Sequence, residues 1–178
     1  MLKRVLESRR NKALLVLPYV ALVQEKVRWL RRLVSGVKYS ELLELDGDGK
    51  ESLWCRRADE DSIRVVGFFG GGKIRSTWHD FDIAICTLEK VSTQFITYCP
   101  DHKADTYVQA NTLINTAIDD CSILQLKAVV LDELHMIDDD HRGYLLELIG
   151  AKLLSLDQSV QIIGMSATLP VSYSKSSV

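Results

Sequence analysis

Residues 126–135, Leu-Lys-Ala-Val-Val-Leu-Asp-Glu-Leu-His, decide the fold class of this chain. The stretch predicts a buried strand, Leu126–Leu131, that is followed at once by the two carboxylates Asp132 and Glu133. A second apolar run, Gln161–Met165, is followed by Ser166-Ala167-Thr168. Continuous apolar runs are typical of parallel strands that are covered on both faces. Because the carboxyl ends of such strands meet at one sheet edge, we expect the two polar segments to lie together there.

Three earlier apolar runs predict further strands, at Ala13–Leu17, Ile63–Phe69 and Ile83–Thr87. Apolar residues that recur every three or four positions predict helices between the strands. The three helical stripes consist of Val20, Val23, Val27, Leu30 and Val34; of Leu113, Ile114, Ala117 and Ile118; and of Tyr144, Leu145, Leu148, Ile149 and Leu153. Alternating strands and helices predict an α/β domain, a parallel sheet with helices on both faces.

The composition fits one soluble globular domain, with 178 residues, 47% hydrophobic and 26% charged. The net charge of −2 gives no overall attraction to nucleic acid, so such binding needs a local basic patch. Positive charge is concentrated between Lys3 and Arg32. The four cysteines form no CxxC pair, which argues against a zinc ribbon or a disulfide framework. No apolar run approaches the roughly 20 residues that span a bilayer, so we expect an intracellular protein without a membrane partner.

The two carboxylates after the strand fit phosphate chemistry. The first, Asp132, is placed to hold Mg²⁺ through water, and the second, Glu133, to orient and deprotonate an attacking water. The alternative is that both only solvate a strand end or cap a helix. The hydroxyls of Ser166 and Thr168 suit hydrogen bonds to these carboxylates, although the segment also reads as a turn stopped by Pro170.

Two other strand ends carry candidate contacts to phosphate. Residues 17–26, Leu-Pro-Tyr-Val-Ala-Leu-Val-Gln-Glu-Lys, predict a strand that turns into a helix whose first amides are open to an anion, with Lys26 nearby. A solvated amphipathic helix explains the same spacing. Thr87 ends the strand Ile83–Thr87, where it suits either a helix cap or a nucleic-acid phosphate, and the sequence leaves both open.

Two further patterns resemble ligand sites but have simpler explanations. Gly67–Lys73 matches the G-x-x-x-x-G-K half of a phosphate loop, but Ile74 stands where Ser or Thr should bind Mg²⁺, so we interpret it as a glycine-rich turn. A nucleotide-binding module built on it predicts that Lys73→Ala abolishes ATP binding. His135, with Asp138–Asp140 and His141, lacks zinc-ligand spacing and is interpreted as a solvated loop.

In this order, the segments resemble the first RecA-like domain of superfamily-two DNA helicases. The resemblance is to the branch that contains the helicase region of DNA polymerase theta and the HELQ helicase. Residues 17–26 are similar to motif Ia, 85–90 (ICTLEK) to motif Ib, 129–135 (VVLDELH) to motif II and 161–170 (QIIGMSATLP) to motif III.

The resemblance implies an ATP-dependent helicase of DNA repair in the nucleus, which moves on single-stranded DNA rather than RNA, with ATP and Mg²⁺ as cofactors. By the same resemblance, Asp132 holds Mg²⁺ through water, Glu133 is the catalytic base and His135 couples ATP to DNA. Ser166 and Thr168 lie in the ATP-responsive motif. The residues that line the DNA path are Pro18, Lys26, Thr87 and Glu89.

The resemblance also implies a fragment. Residues 1–170 correspond to a partial ATP-binding domain with irregular insertions near 40–61 and 91–109, and 171–178 form a tail outside the family pattern. The family's phosphate loop lies upstream of motif Ia, and its second RecA-like domain follows motif III. We therefore expect this chain alone to be inactive as an ATPase and its second domain to be a partner in the full-length protein. The alternative is a non-catalytic truncated isoform that binds nucleic acid or a partner through its basic N-terminal helices.

Overall fold

The structure is a computed structural model that describes residues 1–39, 62–68, 77–88, 110–140, 143–156 and 159–167. The expected insertions near 40–61 and 91–109 lie outside these ranges. Most of the glycine-rich turn and the tail 171–178 also lie outside them.

The centre of the fold is a parallel sheet, as the sequence predicts. Within the described residues it has five strands in the order β2-β3-β1-β4-β5, and every neighbouring pair is parallel. The strands are β1 (Lys12–Leu17), β2 (Val65–Phe68), β3 (Ile83–Thr87), β4 (Leu126–Leu131) and β5 (Gln161–Gly164).

Helices cover both faces of this sheet. They are α1 (Leu2–Leu6), α2 (Val20–Val34), α3 (Ala110–Asp119) and α4 (Gly143–Ser155), with 3₁₀ turns at Trp78–Asp80, Ile123–Gln125 and Leu134–Asp138. One core cluster joins α1 and α2 to one face, and a second joins α3 and α4 to the other. No helix within the described ranges has both the length and the hydropathy of a membrane span.

The inner strands are buried on both faces, which explains their continuous apolar runs. In β1, Leu14 and Val16 pack with the α3–α4 cluster, whereas Ala13, Leu15 and Leu17 pack with the α1–α2 cluster. All six residues of β1 and all five of β3 are buried. The helix predicted after β1 also buries the expected residues, which are Val23, Val27, Leu30 and Val34.

The last strand, β5, is confirmed, but the prediction that it is buried is wrong. Gln161 and Gly164 are exposed, and Ile162 and Ile163 are only half-buried. In the described part of the chain β5 pairs with β4 alone, so it forms one edge of the sheet. An apolar run by itself does not reveal whether a strand has one neighbour or two.

The third predicted stripe is partly wrong. Tyr144 is 44% and Leu148 39% exposed, because α4 faces the sheet with another side. That side consists of Gly143, Leu145, Leu146, Ile149 and Leu153. Apolar side chains of α4 cover more than half of its circumference. Their spacing therefore does not indicate which side of the helix faces the sheet. In α3 the stripe is correct except for Ile118, which lies at its rim with 36% exposure.

A buried charge cluster closes the sheet edge where the strands begin. The Nζ of Lys12, which is 5% exposed, donates a 2.5 Å hydrogen bond to the Phe81 carbonyl. The Asp82 carboxylate accepts a 2.8 Å hydrogen bond from the Arg64 amide. It also forms an ion pair with the Arg64 guanidinium. Burial lowers the pKa of Lys12, although Asp82 opposes this shift. These contacts fix the register of β1, β2 and β3 at the edge remote from the carboxylates.

Candidate functional site at the carboxyl ends of the strands

Strand register brings the predicted polar segments to one edge of the sheet. The Asp132 amide donates a 3.0 Å hydrogen bond to the Val16 carbonyl, so the carboxylates begin where β1 ends. On the other side of β1, Leu17 is paired with Thr87 at the end of β3. The ends of β3, β1 and β4 therefore form one continuous edge.

The end of β5 is attached to the same edge by two backbone hydrogen bonds. The Met165 amide donates to the Leu131 carbonyl at 2.8 Å, and the Leu134 amide donates to the Met165 carbonyl at 2.8 Å. Ser166, which follows directly, is half-buried. The segment that carries Ser166 thus lies at the edge where Asp132 stands, as expected, whereas Thr168 is outside the described residues.

Asp132 is held in place by its own backbone. Its side chain is half-buried, and Oδ1 accepts a 2.9 Å hydrogen bond from the Glu133 amide. The carboxylate receives no other hydrogen bond from the described residues, so Oδ2 keeps its capacity to accept. This pattern suits a carboxylate that binds an ion through water.

Glu133 turns the chain sharply at the end of β4. Its backbone is left-handed, with φ 53° and ψ 49°, and it precedes the 3₁₀ turn Leu134–Asp138. This conformation is uncommon for a residue other than Gly, Asn or Asp and costs about 1–3 kcal/mol, which is typical of functional sites. No feature of the sequence predicts it.

His135 lies against the second carboxylate. Its Nδ1 is 3.2 Å from Oε2 of Glu133, and the two side chains are 41% and 34% exposed. The contact is a hydrogen bond for a protonated Nδ1 and an ion pair for the charged imidazole. The structure thus adds a contact between His135 and Glu133 to the sequence prediction, whereas the roles assigned to Asp132, Glu133 and His135 stay predictions.

Leu134 and Gly164 make a close contact that sequence reasoning missed. A Cβ atom on Gly164 would stand 2.7 Å from Cδ2 of Leu134, so any larger residue at this position would make the Leu134 side chain move. The contact packs the turn that follows Glu133 directly on the end of β5. A glycine as the last residue of an apolar strand was the available signal.

The site fits a metal that is held mainly by other groups. Within the described ranges, no three His, Cys, Asp or Glu side chains converge as a metal site. Mg²⁺ commonly keeps several waters and binds through one or two carboxylates together with phosphates. Asp132 fits that role as a single carboxylate donor at the strand ends.

Three of the four residues predicted to line a nucleic-acid path are described, and none of the three is fully exposed. Pro18 is buried and Thr87 is 2% exposed, so the Thr87 hydroxyl lies in the packed interior. Lys26 is half-buried in the second turn of α2. Glu89 is outside the described residues. Contact of these residues with nucleic acid remains a prediction.

Comparison with known proteins shows which family the chain resembles. The family model "DEAD/DEAH box helicase" matches residues 1–176. The chain is 33% identical to DNA polymerase theta of Mus musculus over 184 residues, covering 95% of this chain and 6% of that protein. It is 32% identical to the Helicase POLQ-like protein of Homo sapiens over 170 residues, covering 95% of this chain and 12% of that protein. The chain therefore spans a small part of these relatives.

A solved structure shares the fold. The Mycobacterium smegmatis helicase Lhr, determined with bound ssDNA and AMP-PNP, superposes with a TM-score of 0.51 and 23% identity, over 89% of this chain and 17% of that one. This similarity supports a RecA-like sheet. Because the family model matches nearly the whole length of the chain, the chain belongs to the DEAD/DEAH box helicase family.

Proposed function

We propose that the chain is part of the ATP-dependent motor of a DNA helicase. In the full-length protein it couples ATP hydrolysis to movement on single-stranded DNA. The observation that carries the proposal is the position of Asp132 and Glu133, where backbone hydrogen bonds join the ends of β1, β4 and β5. Membership of the helicase family and the ligands of the Lhr structure support it.

ATP and Mg²⁺ are the cofactors of this proposal. When bound, the metal neutralises charge on the phosphates. Asp132 would hold it through water, and the hydrogen bond from the Glu133 amide orients the Asp132 carboxylate for that role. Glu133 accepts the proton of the attacking water at its carboxylate. His135 contacts that carboxylate and so links its position to the exposed surface beside it.

Ser166 and Thr168 report the state of the nucleotide to the rest of the motor in this proposal. The Leu134–Met165 hydrogen bond fixes the segment that carries Ser166 against the turn that follows Glu133. Pro18, Lys26, Thr87 and Glu89 belong to the DNA path. Because Pro18 and Thr87 are buried, they position the backbone at the strand ends rather than contact DNA through exposed side chains.

The test is the ATPase activity of the full-length protein with Glu133→Gln. This change keeps the size of the side chain and removes the base, so we expect DNA-stimulated turnover to fall about 10²- to 10⁴-fold. Glu147→Gln, the same change at an exposed site on α4, is the matched control and should leave turnover unaltered. Equal activity of the two variants would refute the assignment of Glu133.

The 178-residue polypeptide by itself has a second candidate function, as a nucleic-acid- or partner-binding unit without ATPase activity. Two Gly-Lys pairs occur in it, Gly49-Lys50 and Gly72-Lys73, and neither is followed by Ser or Thr. We therefore expect the purified chain not to turn over ATP, with or without single-stranded DNA. DNA-stimulated turnover by this polypeptide would overturn the expectation, and loss of ATP binding in Lys73→Ala would assign the nucleotide to the glycine-rich turn.

The remaining parts of the proposal follow from the kinship with DNA polymerase theta and Helicase POLQ-like proteins. They are a nuclear location, a role in DNA repair and a second RecA-like domain as the partner across the ATP cleft. The partial motor domain occupies residues 1–170 in this proposal, with 171–178 as a separate tail.

A further inference from the structure

Trp29 is exposed in a way that the packing of the domain does not explain. It lies on the outer face of α2, opposite the buried Val23, Val27 and Leu30, and 55% of its surface is accessible. Leu33, one turn further along, is 49% exposed. A packed indole buries about 150–250 Å² of surface, so a half-exposed one forfeits much of its stabilising effect. An exposed indole offers a flat face on which a ligand ring can stack.

Two arginines lie beside this indole on one flank of the helix, one before it and one after it along the axis. Arg28 precedes Trp29 directly and Arg32 follows it by one turn, and both are exposed. Within the described part of the chain neither forms an ion pair. The helix α2 carries four basic residues and one acidic residue, although the whole chain has a net charge of −2. Positive charge is therefore concentrated on this helix.

A structural role accounts for Arg31, another arginine of α2, and in part for Arg32, but not for Arg28. The Nε of Arg31 donates a 3.0 Å hydrogen bond to the Val65 carbonyl and so attaches α2 to β2. Arg32 lies in the last turn, where a cation also favours the helix dipole. Arg28 lies before that turn and has neither explanation. The group Arg28, Trp29 and Arg32 is called the outer α2 patch below.

We infer that the outer α2 patch binds a single strand of nucleic acid, with a base stacked on the Trp29 indole and phosphates on Arg28 and Arg32. Single strands are commonly held by cationic groups that follow the backbone and by aromatic side chains that stack on bases. The two arginines are about 6 Å apart along the helix axis. The inference rests on the proposed function and extends the DNA path from the strand ends along α2.

Chemistry favours nucleic acid over a protein partner at this patch. Only Trp29 and Leu33 are large exposed apolar residues of α2 beyond its first turn, and arginines border the indole. A stable protein interface buries roughly 800 Å² on each side around a core of several apolar residues, whereas the described part of this face offers two, Trp29 and Leu33. Stacking requires a flat ring and phosphate binding requires cations, and the patch has an exposed indole and two exposed arginines.

The test is the affinity of the 178-residue chain for a labelled oligothymidylate, measured by fluorescence anisotropy over a series of salt concentrations. Trp29→Ala should weaken binding about five- to hundredfold without changing the salt dependence. Arg28→Gln and Arg32→Gln should each lower the slope of log affinity against log salt by about 0.7. Leu154→Ala is the matched control, since Leu154 is 78% exposed on α4 across the sheet, and it should change neither quantity.

The possible results separate this inference from the proposed function. If Lys26→Gln weakens binding and the patch variants do not, the inference is wrong and the strand-end path stands. If the wild-type chain binds no oligothymidylate, the inference is also wrong, while the Glu133→Gln experiment still decides the ATPase proposal. If Trp29→Ala only abolishes self-association in sedimentation, the patch binds protein and the inference fails.

Discussion

The amide of Leu134 donates a 2.8 Å hydrogen bond to the carbonyl of Met165. These residues stand directly after Glu133 and directly before Ser166, so the bond joins the two polar segments by their backbones. Paired strands β4 and β5 end at Leu131 and Gly164, and this bond continues their connection beyond that point. Glu133 therefore cannot shift far from Ser166 without breaking a backbone hydrogen bond, which makes the pair a direct mechanical link at the candidate site.

The contact between Leu134 and Gly164 offers a test of this link. In Gly164→Ala the new Cβ would stand 2.7 Å from Cδ2 of Leu134, and that side chain must move. We expect a loss of about 1 kcal/mol in the free energy of unfolding, because crowding of this kind costs about 1–3 kcal/mol and a leucine end adapts partly. Urea unfolding of the 178-residue chain measures it.

A double mutant supplies the control. Leu134→Ala removes the atom that is crowded, so Gly164→Ala should cost almost nothing in that background. An equal cost of Gly164→Ala with Leu134 and with Ala at position 134 would show that the two residues do not interact.

The left-handed backbone of Glu133 predicts an inverted order of two substitutions. Glycine adopts φ 53° without strain, whereas alanine pays about 1 kcal/mol or more for it. Glu133→Gly should therefore be more stable than Glu133→Ala by about 1 kcal/mol, although both lose the carboxylate. Thermal and urea unfolding compare the two directly.

Glu147 is the control for this order. It lies within α4, where glycine is about 1 kcal/mol less favourable than alanine. Glu147→Gly should therefore be less stable than Glu147→Ala. The same order at both positions would mean that Glu133 has an ordinary backbone in solution.

Cys86 predicts a loss of stability in alkali. Burial raises the pKa of its thiol from 9.0 to about 12. A pKa that is raised in the folded state contributes stability below the unfolded value, and this contribution is lost as the pH rises from 9.0 towards about 12. Cys86→Ala should lower stability at neutral pH by leaving a cavity, but its stability should fall less steeply above pH 9.

The urea midpoints of the wild-type chain and of Cys86→Ala, each at about pH 8 and about pH 10, measure how much stability each protein loses in alkali. Lys12 and Tyr39 have shifted pKa values of their own, and comparison of the two proteins cancels them because both residues are retained. Parallel pH curves would show that the thiol is accessible to solvent.

Hydrophobic periodicity predicted most of the fold because it reports burial directly. Val23, Val27 and Leu30 face the sheet since they recur at helical spacing, and the inner strands are apolar throughout because both their faces are covered. The carboxylates were placed correctly for a topological reason, since parallel strands end at one edge. The residue types and the positions of the predicted strands along the chain were sufficient for that step.

Features that depend on distant neighbours were not predictable in this way. The exposure of β5 depends on its position at the end of the sheet, and the direction of α4 depends on which side meets the core. The left-handed Glu133 and the burial of Thr87 are set by the hydrogen bonds and packing around the strand ends. The spacing of apolar residues along the sequence does not indicate contacts with residues that are distant in the chain.

Two glycines of α4 give opposite predictions for the same substitution. A Cβ on Gly143 would stand 2.0 Å from the carbonyl oxygen of Ile137, in the 3₁₀ turn that follows Glu133. Backbone must move to relieve this contact, and the Gly143 amide also donates a 2.8 Å hydrogen bond to the Asp139 carbonyl. Gly143→Ala should therefore destabilise the domain by about 2–3 kcal/mol.

Gly150 lies in the same helix, and a Cβ there would meet nothing within 4 Å. Gly150→Ala should stabilise the domain by about 0.5–1 kcal/mol, because alanine loses less backbone entropy in a helix. Urea unfolding of both variants decides the matter, and the sign of the difference is the critical result. If Gly143→Ala were as stable as Gly150→Ala, the start of α4 would not press on the turn that follows Glu133, and the close packing of this turn would be absent in solution.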